Sequence, residues 1–400
     1  MNILIIEGII AGLVEHFEAN ILPEALSMLM SLSNDISRLG YKTSILVHKK
    51  YLDFIPISKL KNITVIKNTG YNINSIRKVA TKYDYTYVIA PESDGLLYKL
   101  LIILEGLHIN SDPDTIARIS DKFRVINDLE KTGINVPKTL YLEKYRSERE
   151  LQYIIRNLEF PMIIKPSIGA GCQGLRIIKS KEELRNNLRK LSVSYKTLIL
   201  QEYIKGLPAS ISVVSDGVHY KILSINRQFI KFSEIGYWGG YTPIRGISLK
   251  VIENIVRKIS RLYSGLKGYF GIDIIISKDK VYVIEINPRL TVSYIGISKT
   301  LSVNPAKLLL KSTLKRNVGY EISHQGIAYF RKIRFNDQFS RDSAFKIYNL
   351  YKLYTPPMPF LSSPAYAFIL VTGSSFRKTV KDFRDLIKDM IKNLRVSITT

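Results

Sequence analysis

The chain has 400 residues, 46% hydrophobic and 23% charged, a balance that excludes a fibrous or wholly disordered protein and predicts roughly two or three domains. Its 59 Lys and Arg against 34 Asp and Glu give a formal net charge of +25, which raises the question of a polyanionic partner, while a single cysteine excludes a disulfide framework and a cysteine zinc cluster. The basic residues are spread out: the densest groups, over 181–190 and 377–392, alternate with acidic residues and leucines at helical spacing, the pattern of a solvated helix face, so nucleic acid is not expected as a partner.

In chain order, an apolar run over 2–6 predicts a buried strand, helical periodicity over 25–39 ends at Gly40, and 42–47, 64–67 and 85–90 repeat the strand signal around a helical stretch near 75–83. That βαβ rhythm predicts a small parallel sheet in a domain 1–110. Ligands of such sheets sit at the carboxyl ends of strands, where Glu7 and Gly8 follow the first strand and Glu92 and Asp94 the last. After Pro137 the rhythm changes. Strands are predicted over 162–165, 175–179 and 197–202 with a helix over 182–191, then strands over 211–214 and 220–225, a helix over 249–262, and strands over 271–277 and 281–286 around the turn Lys278-Asp279-Lys280. From about residue 321 short strands are broken by a proline-rich stretch, 354–359, and a basic amphipathic helix over 378–393 closes the chain. The amino terminus has no basic region and is broken by Glu7, and no apolar run reaches the ~18 residues a membrane span needs, so a cytoplasmic protein without a membrane partner is expected.

The loop 167–174 contains Gly169, Gly171 and Gly174, spaced so that backbone N–H groups can turn onto phosphate oxygens. It runs from strand to strand, which excludes the dinucleotide-binding fingerprint, and Leu175-Arg176 follow Gly174 where a P-loop needs Lys and then Ser or Thr. What remains is a hairpin flap over a triphosphate, with Lys165 aimed into the same place by the apolar residues before it. Further on, Glu285 and Asn287 are two apart and face one way on an extended strand, while Asp273 lies on the strand before. Three oxygen-bearing side chains then converge among apolar neighbours; unpaired carboxylates there are costly without a cation, and hard oxygen donors suit Mg2+ shared with substrate phosphates. His16, His48, His108, His219 and His324 show no ligand spacing.

Asp121-Lys122, Lys165 with its glycine flap, Gln201-Glu202-Tyr203-Ile204, Asp273 and Glu285-x-Asn287 occur in the order of the ATP-grasp ligases, and residues 1–320 resemble that family. Ala90-Pro91-Glu92, the stretch 236–243 and the run 285–296 look most like the archaeal tyramine-glutamate ligase group. The resemblance implies a mixed α/β fold: a parallel-sheet domain 1–110, a small lobe 111–205 with the flap, a large lobe 206–320 with the metal site, and a small C-terminal α/β domain 321–400. It implies an ADP-forming carboxylate–amine ligase acting on small molecules, with ATP and Mg2+, or Mn2+ in its place, as cofactors. Lys122 and Lys165 would hold ATP phosphates under the flap with Ser167, and residues 201–204 would line the adenine pocket. Asp273, Glu285 and Asn287 would hold metal, and Arg289, with Arg227 expected to face the same cleft, would stabilise charge on the transferred phosphoryl group. Family members often carry an acidic residue for the ribose after Gly206; here the stretch is Leu207-Pro208-Ala209-Ser210. The resemblance leaves open a homodimer and a different amino-acid or peptide acceptor; the reading from another class is a basic nucleic-acid-binding protein on the same scaffold.

Overall fold

The computed structural model describes residues 1–400 except 71, 144–146, 170, 172–173, 232–235, 279 and 316–317. The first four strands, β1 (Asn2–Glu7), β2 (Lys42–His48), β3 (Ile63–Asn68) and β4 (Tyr85–Ile89), form a parallel sheet in the order β3-β2-β1-β4. The unbroken apolar run of β1 follows from its central place: Ile3 and Ile5 point into one hydrophobic cluster and Leu4 and Ile6 into another, so both faces are covered. Helix Leu22–Arg38 packs on the first cluster and helices Ile76–Ala80 and Leu96–Ile103 on the second.

A four-stranded antiparallel sheet follows, made of β5 (Thr139–Leu142), β6 (Met162–Pro166), β7 (Arg176–Ile178) and β8 (Leu198–Glu202) in the order β5-β8-β6-β7. Its core is closed by Leu151 and Ile154 of helix Glu148–Asn157 and by Leu184 and Leu188 of helix Lys181–Ser194. The glycine loop joins β6 to β7, as its strand–loop–strand setting predicts.

The largest sheet contains β9 (Leu207–Asp216), β10 (Tyr220–Lys231), β11 (Gly236–Thr242), β12 (Lys267–Ser277), β13 (Lys280–Asn287), β14 (Ile327–Phe335) and β15 (Ala365–Gly373), ordered β13-β12-β9-β10-β11-β14-β15, with β16 (Ile398–Thr399) beside β14. One face packs on helix Leu249–Leu262 through Ala209, Ile211, Val213 and Ile225. The C-terminal segment carries its own hydrophobic cluster with helix Phe376–Leu394, yet its two long strands extend this sheet instead of forming another. The glycine-rich stretch 236–242 is strand β11; Gly239 adopts φ +115, and a Cβ on Gly240 would lie 2.0 Å from the Arg227 carbonyl oxygen. Glycine there lets backbones approach closely. Asp279 of the β12–β13 turn lies outside the described residues. Among the described residues, no helix is long and apolar enough to cross a membrane.

Candidate active site

A cleft enclosing about 1010 Å³, including space open to solvent, separates the small-lobe sheet from the inner face of the large one. From the small-lobe side Lys122, Lys165, Gly169 and Gly171 reach it, and the end of β8 adds Gln201, Glu202, Tyr203 and Ile204. Asp273 and Glu285 line it from below.

The floor is set by strand register. Asp273 on β12 stands directly opposite Glu285 on β13, and a bulge follows Asp273. Gln228 Nε2 donates to Asp273 Oδ1 at 2.8 Å and Asn287 Nδ2 donates to Oδ2 at 3.1 Å. Burial first, and the adjacent Glu285 second, push the Asp273 carboxyl up to about 7. Glu285 is held below its ordinary value: burial alone would raise it, but Lys122, Lys165 and Arg289 outweigh burial. Lys122 Nζ lies 3.6 Å from Glu285 Oε2 and also donates to the Gly169 carbonyl oxygen, so it links the flap to the acidic floor.

Local structure fixes that lysine. Asp121 caps helix Lys122–Lys131, accepting from Phe123 N at 3.0 Å and Arg124 N at 3.4 Å, and the same oxygen accepts from Ser167 Oγ at 2.5 Å. Lys122 N in turn donates to the Ser167 carbonyl at 3.0 Å. Ser167 is thus buried beneath the loop as its anchor and does not line the cleft. Gly174, with φ +70, has no room for a side chain: a Cβ would lie 2.8 Å from the Pro166 ring. Ala170, Cys172 and Gln173 of the loop lie outside the described residues. Gln201 is turned by a 2.9 Å bond to Thr139 Oγ1, and Glu202 Oε2 accepts from Lys138 N at 3.3 Å.

Arg289 sits at the edge of the floor, its Nε donating to Glu92 Oε1 at 3.0 Å, with Glu92 buried and Arg289 partly so. Burial works to lower its pKa, but Glu92, Glu285 and Asp273 raise it. Arg227 does not join this group. It pairs with Ala209, whose side chain belongs to the opposite, helix-covered face, and its guanidinium lies over Phe229 while Nη1 donates to the Pro208 and Gln228 carbonyls. Side chains alternate along a strand, so the cleft position falls to the next residue, Gln228. Gln228 carries no motif, and only the register of β9, β10 and β12 reveals it.

A family model of the ATP-grasp domain matches residues 119–293. The D-alanine–D-alanine ligase of Petrotoga mobilis is 30% identical over 280 residues, 67% of this chain and 84% of that protein. The chain belongs to the ATP-grasp family. The tyramine–L-glutamate ligase of Methanocaldococcus fervens is 28% identical over 308 residues, covering 76% of this chain and 92% of that protein. An ATP-grasp superfamily protein from Archaeoglobus fulgidus superposes with a TM-score of 0.64 at 25% identity, over 93% of this chain and 99% of that one. This ATP-grasp chain is an ATP-dependent, ADP-forming C–N ligase of the carboxylate–amine kind. The matched span includes Lys122, Lys165, Asp273, Glu285 and Arg289, but neither Glu92 nor β14 and β15.

Proposed function

We propose that the protein joins L-glutamate to an amine such as tyramine through an acyl phosphate, using ATP and Mg2+. The observation that carries this reading is the half-buried Asp273–Glu285 pair faced by Lys122, Lys165 and Arg289 beneath a glycine loop. Two adjacent half-buried acids, one pushed toward its protonated form, form a donor set that a divalent cation relieves. Its oxygens, with no third carboxylate, His or Cys clustered among the described residues, suit a Mg2+ whose shell is completed by water and substrate phosphates; Mn2+ fits the same donors.

In this reading, Mg2+ when bound offsets charge on the phosphate oxygens. Lys122 and Lys165 hold the phosphates, Gly169 and Gly171 of the glycine loop cover them, and residues 201–204 cradle the adenine. A carboxylate oxygen of the donor attacks the γ-phosphorus, the bond to the β–γ bridging oxygen breaks, and ADP leaves with that electron pair. The neutral amine then attacks the acyl carbon, phosphate departs, and the nitrogen loses a proton to leave the amide. Arg289, held by Glu92, would offset charge on the transferred phosphoryl group. Asn287 and Gln228 orient Asp273. The similarity to a D-alanine–D-alanine ligase favours, as a second reading, an amino acid as the amine.

The test is ADP release dependent on both L-glutamate and tyramine. Glu285→Gln and Lys165→Ala each remove one preorganised charge, for which a loss of about 100- to 1000-fold is expected. Activity above roughly a tenth of the unaltered protein in both variants would refute the assignment.

A further inference from the structure

On the cleft side of the large sheet lies a second charged feature that the phosphate chemistry does not use. Glu24, in the first turn of helix Leu22–Arg38, forms an ion pair with Lys332 of β14, with the lysine side chain 3% and the glutamate side chain 14% exposed. Strand register sets its direction. Gln228, Gly240 and Phe330 form one row across β10, β11 and β14, and Lys332, two residues past Phe330, projects from the same face as the Gln228 that holds Asp273.

Tyr237 packs on the Phe330 cluster between the two groups. Both Glu24 and Asp273 act on its hydroxyl, which is buried close to Ser293 without a hydrogen bond of normal geometry. An unmet buried hydroxyl costs about 1–3 kcal/mol, so a ligand that meets it gains binding energy. A buried ion pair adds little net stability compared with apolar residues of the same volume. As a mere strut between helix Leu22–Arg38 and β14, the Glu24–Lys332 pair would therefore be a poor device.

We infer that Glu24, Lys332 and Tyr237 form the recognition site for the charged head group of the amino-acid substrate. An anion and a cation held side by side match the ammonium and carboxylate of a zwitterion, which can insert and exchange one ion pair for two, while the tyrosine hydroxyl meets a ligand oxygen. The inference rests on the ligase reading and extends it by assigning the C-terminal segment a part in substrate selection, since Lys332 lies outside the matched family span.

The test uses L-glutamate first and then the other protein amino acids, with ADP release and thermal denaturation as readouts. Glu24→Gln and Lys332→Met are each expected to raise KM for the amino acid roughly tenfold to a hundredfold, with KM for ATP within about twofold. The exchange variant Glu24→Lys/Lys332→Glu keeps an ion pair but reverses its polarity. It is expected to melt close to the unaltered protein and to keep the raised KM, and it decides the matter if a single variant fails to fold. Recovery of the amino-acid KM in the exchange variant would make the pair a strut and overturn the inference. So would single variants with unchanged KM. Absence of ADP release with every amino acid by the unaltered protein would overturn the ligase reading, and the inference with it.

Discussion

Glu7 ends β1 with 2% of its surface exposed, and its Oε2 accepts from Ile10 N at 2.8 Å. Burial pushes its carboxyl from an ordinary 4.5 up to about 7, although the backbone N–H groups of Ile10 and Ile9 and the charge of Arg289 pull the other way. Glu7→Gln keeps the shape and an oxygen to accept the Ile10 bond while removing the titration. Below its unfolded value the unaltered protein is protonated in both states, and the full stability is present. As pH rises toward 7 the unfolded chain gives up its proton first, so folded stability falls, and the loss is complete above 7. At ~1.4 kcal/mol per pH unit the rise corresponds to about 3 kcal/mol. Urea denaturation of both proteins at intervals from about pH 4 to pH 8 isolates this contribution, because every other titrating group cancels in the difference. The stability of the Gln variant relative to the unaltered protein is expected to climb by about 3 kcal/mol across that interval. A difference flat to within ~0.5 kcal/mol would mean that Glu7 ionises normally and that water reaches the end of β1.

Protons should also compete with a cation at Asp273. Stabilisation by Mg2+ with a nucleotide, read as a melting-temperature shift, is expected to weaken as pH falls below about 7, with roughly a tenfold loss of affinity per pH unit; equal shifts at pH 6 and pH 8 would count against it. Asp121→Ala removes a helix cap and the acceptor of Ser167, and should cost about 1–2 kcal/mol in denaturation while raising KM for ATP, because Lys122 directly follows the cap. Gly240→Ala forces a Cβ to within 2.0 Å of the Arg227 carbonyl oxygen and should cost about 1–3 kcal/mol, whereas Gly169→Ala, whose nearest neighbour would be 3.9 Å away, should melt as the unaltered protein does.

What the sequence revealed of this site was local in origin. The Asp273–Glu285 pairing follows from two strands and a tight turn, and the flap from closely spaced glycines between strands, so both need only neighbours along the chain. The parallel sheet was readable for a similar reason, since burial on both faces leaves an unbroken apolar run such as that of β1. Arg227 marks the limit. Whether a residue or its neighbour faces the cleft is a question of phase, and phase on β10 is set by pairing with β9 and β11, including a bulge after Gln228. Trp238 is buried on β11 beneath Lys231, where the glycines around it serve close strand approach and not a turn.

The same distinction applies to the charge. A net +25 is a property of the whole surface, yet three of the cations to which the proposals give a role are each paired with an acid from another part of the chain: Lys122 with Glu285, Arg289 with Glu92, Lys332 with Glu24. Two of these pairs join the parallel-sheet domain to the large sheet, across 197 and 308 residues of sequence. No composition or spacing rule reaches that far, because the pairing is a product of how the domains pack. A buried charge is tolerated only where a partner meets it. The cations that matter are therefore found by asking which are buried and what lies opposite them. By that criterion the basic excess on the solvated helix faces is a background, and the three long-range pairs are the cations on which the proposed phosphate and substrate contacts rest.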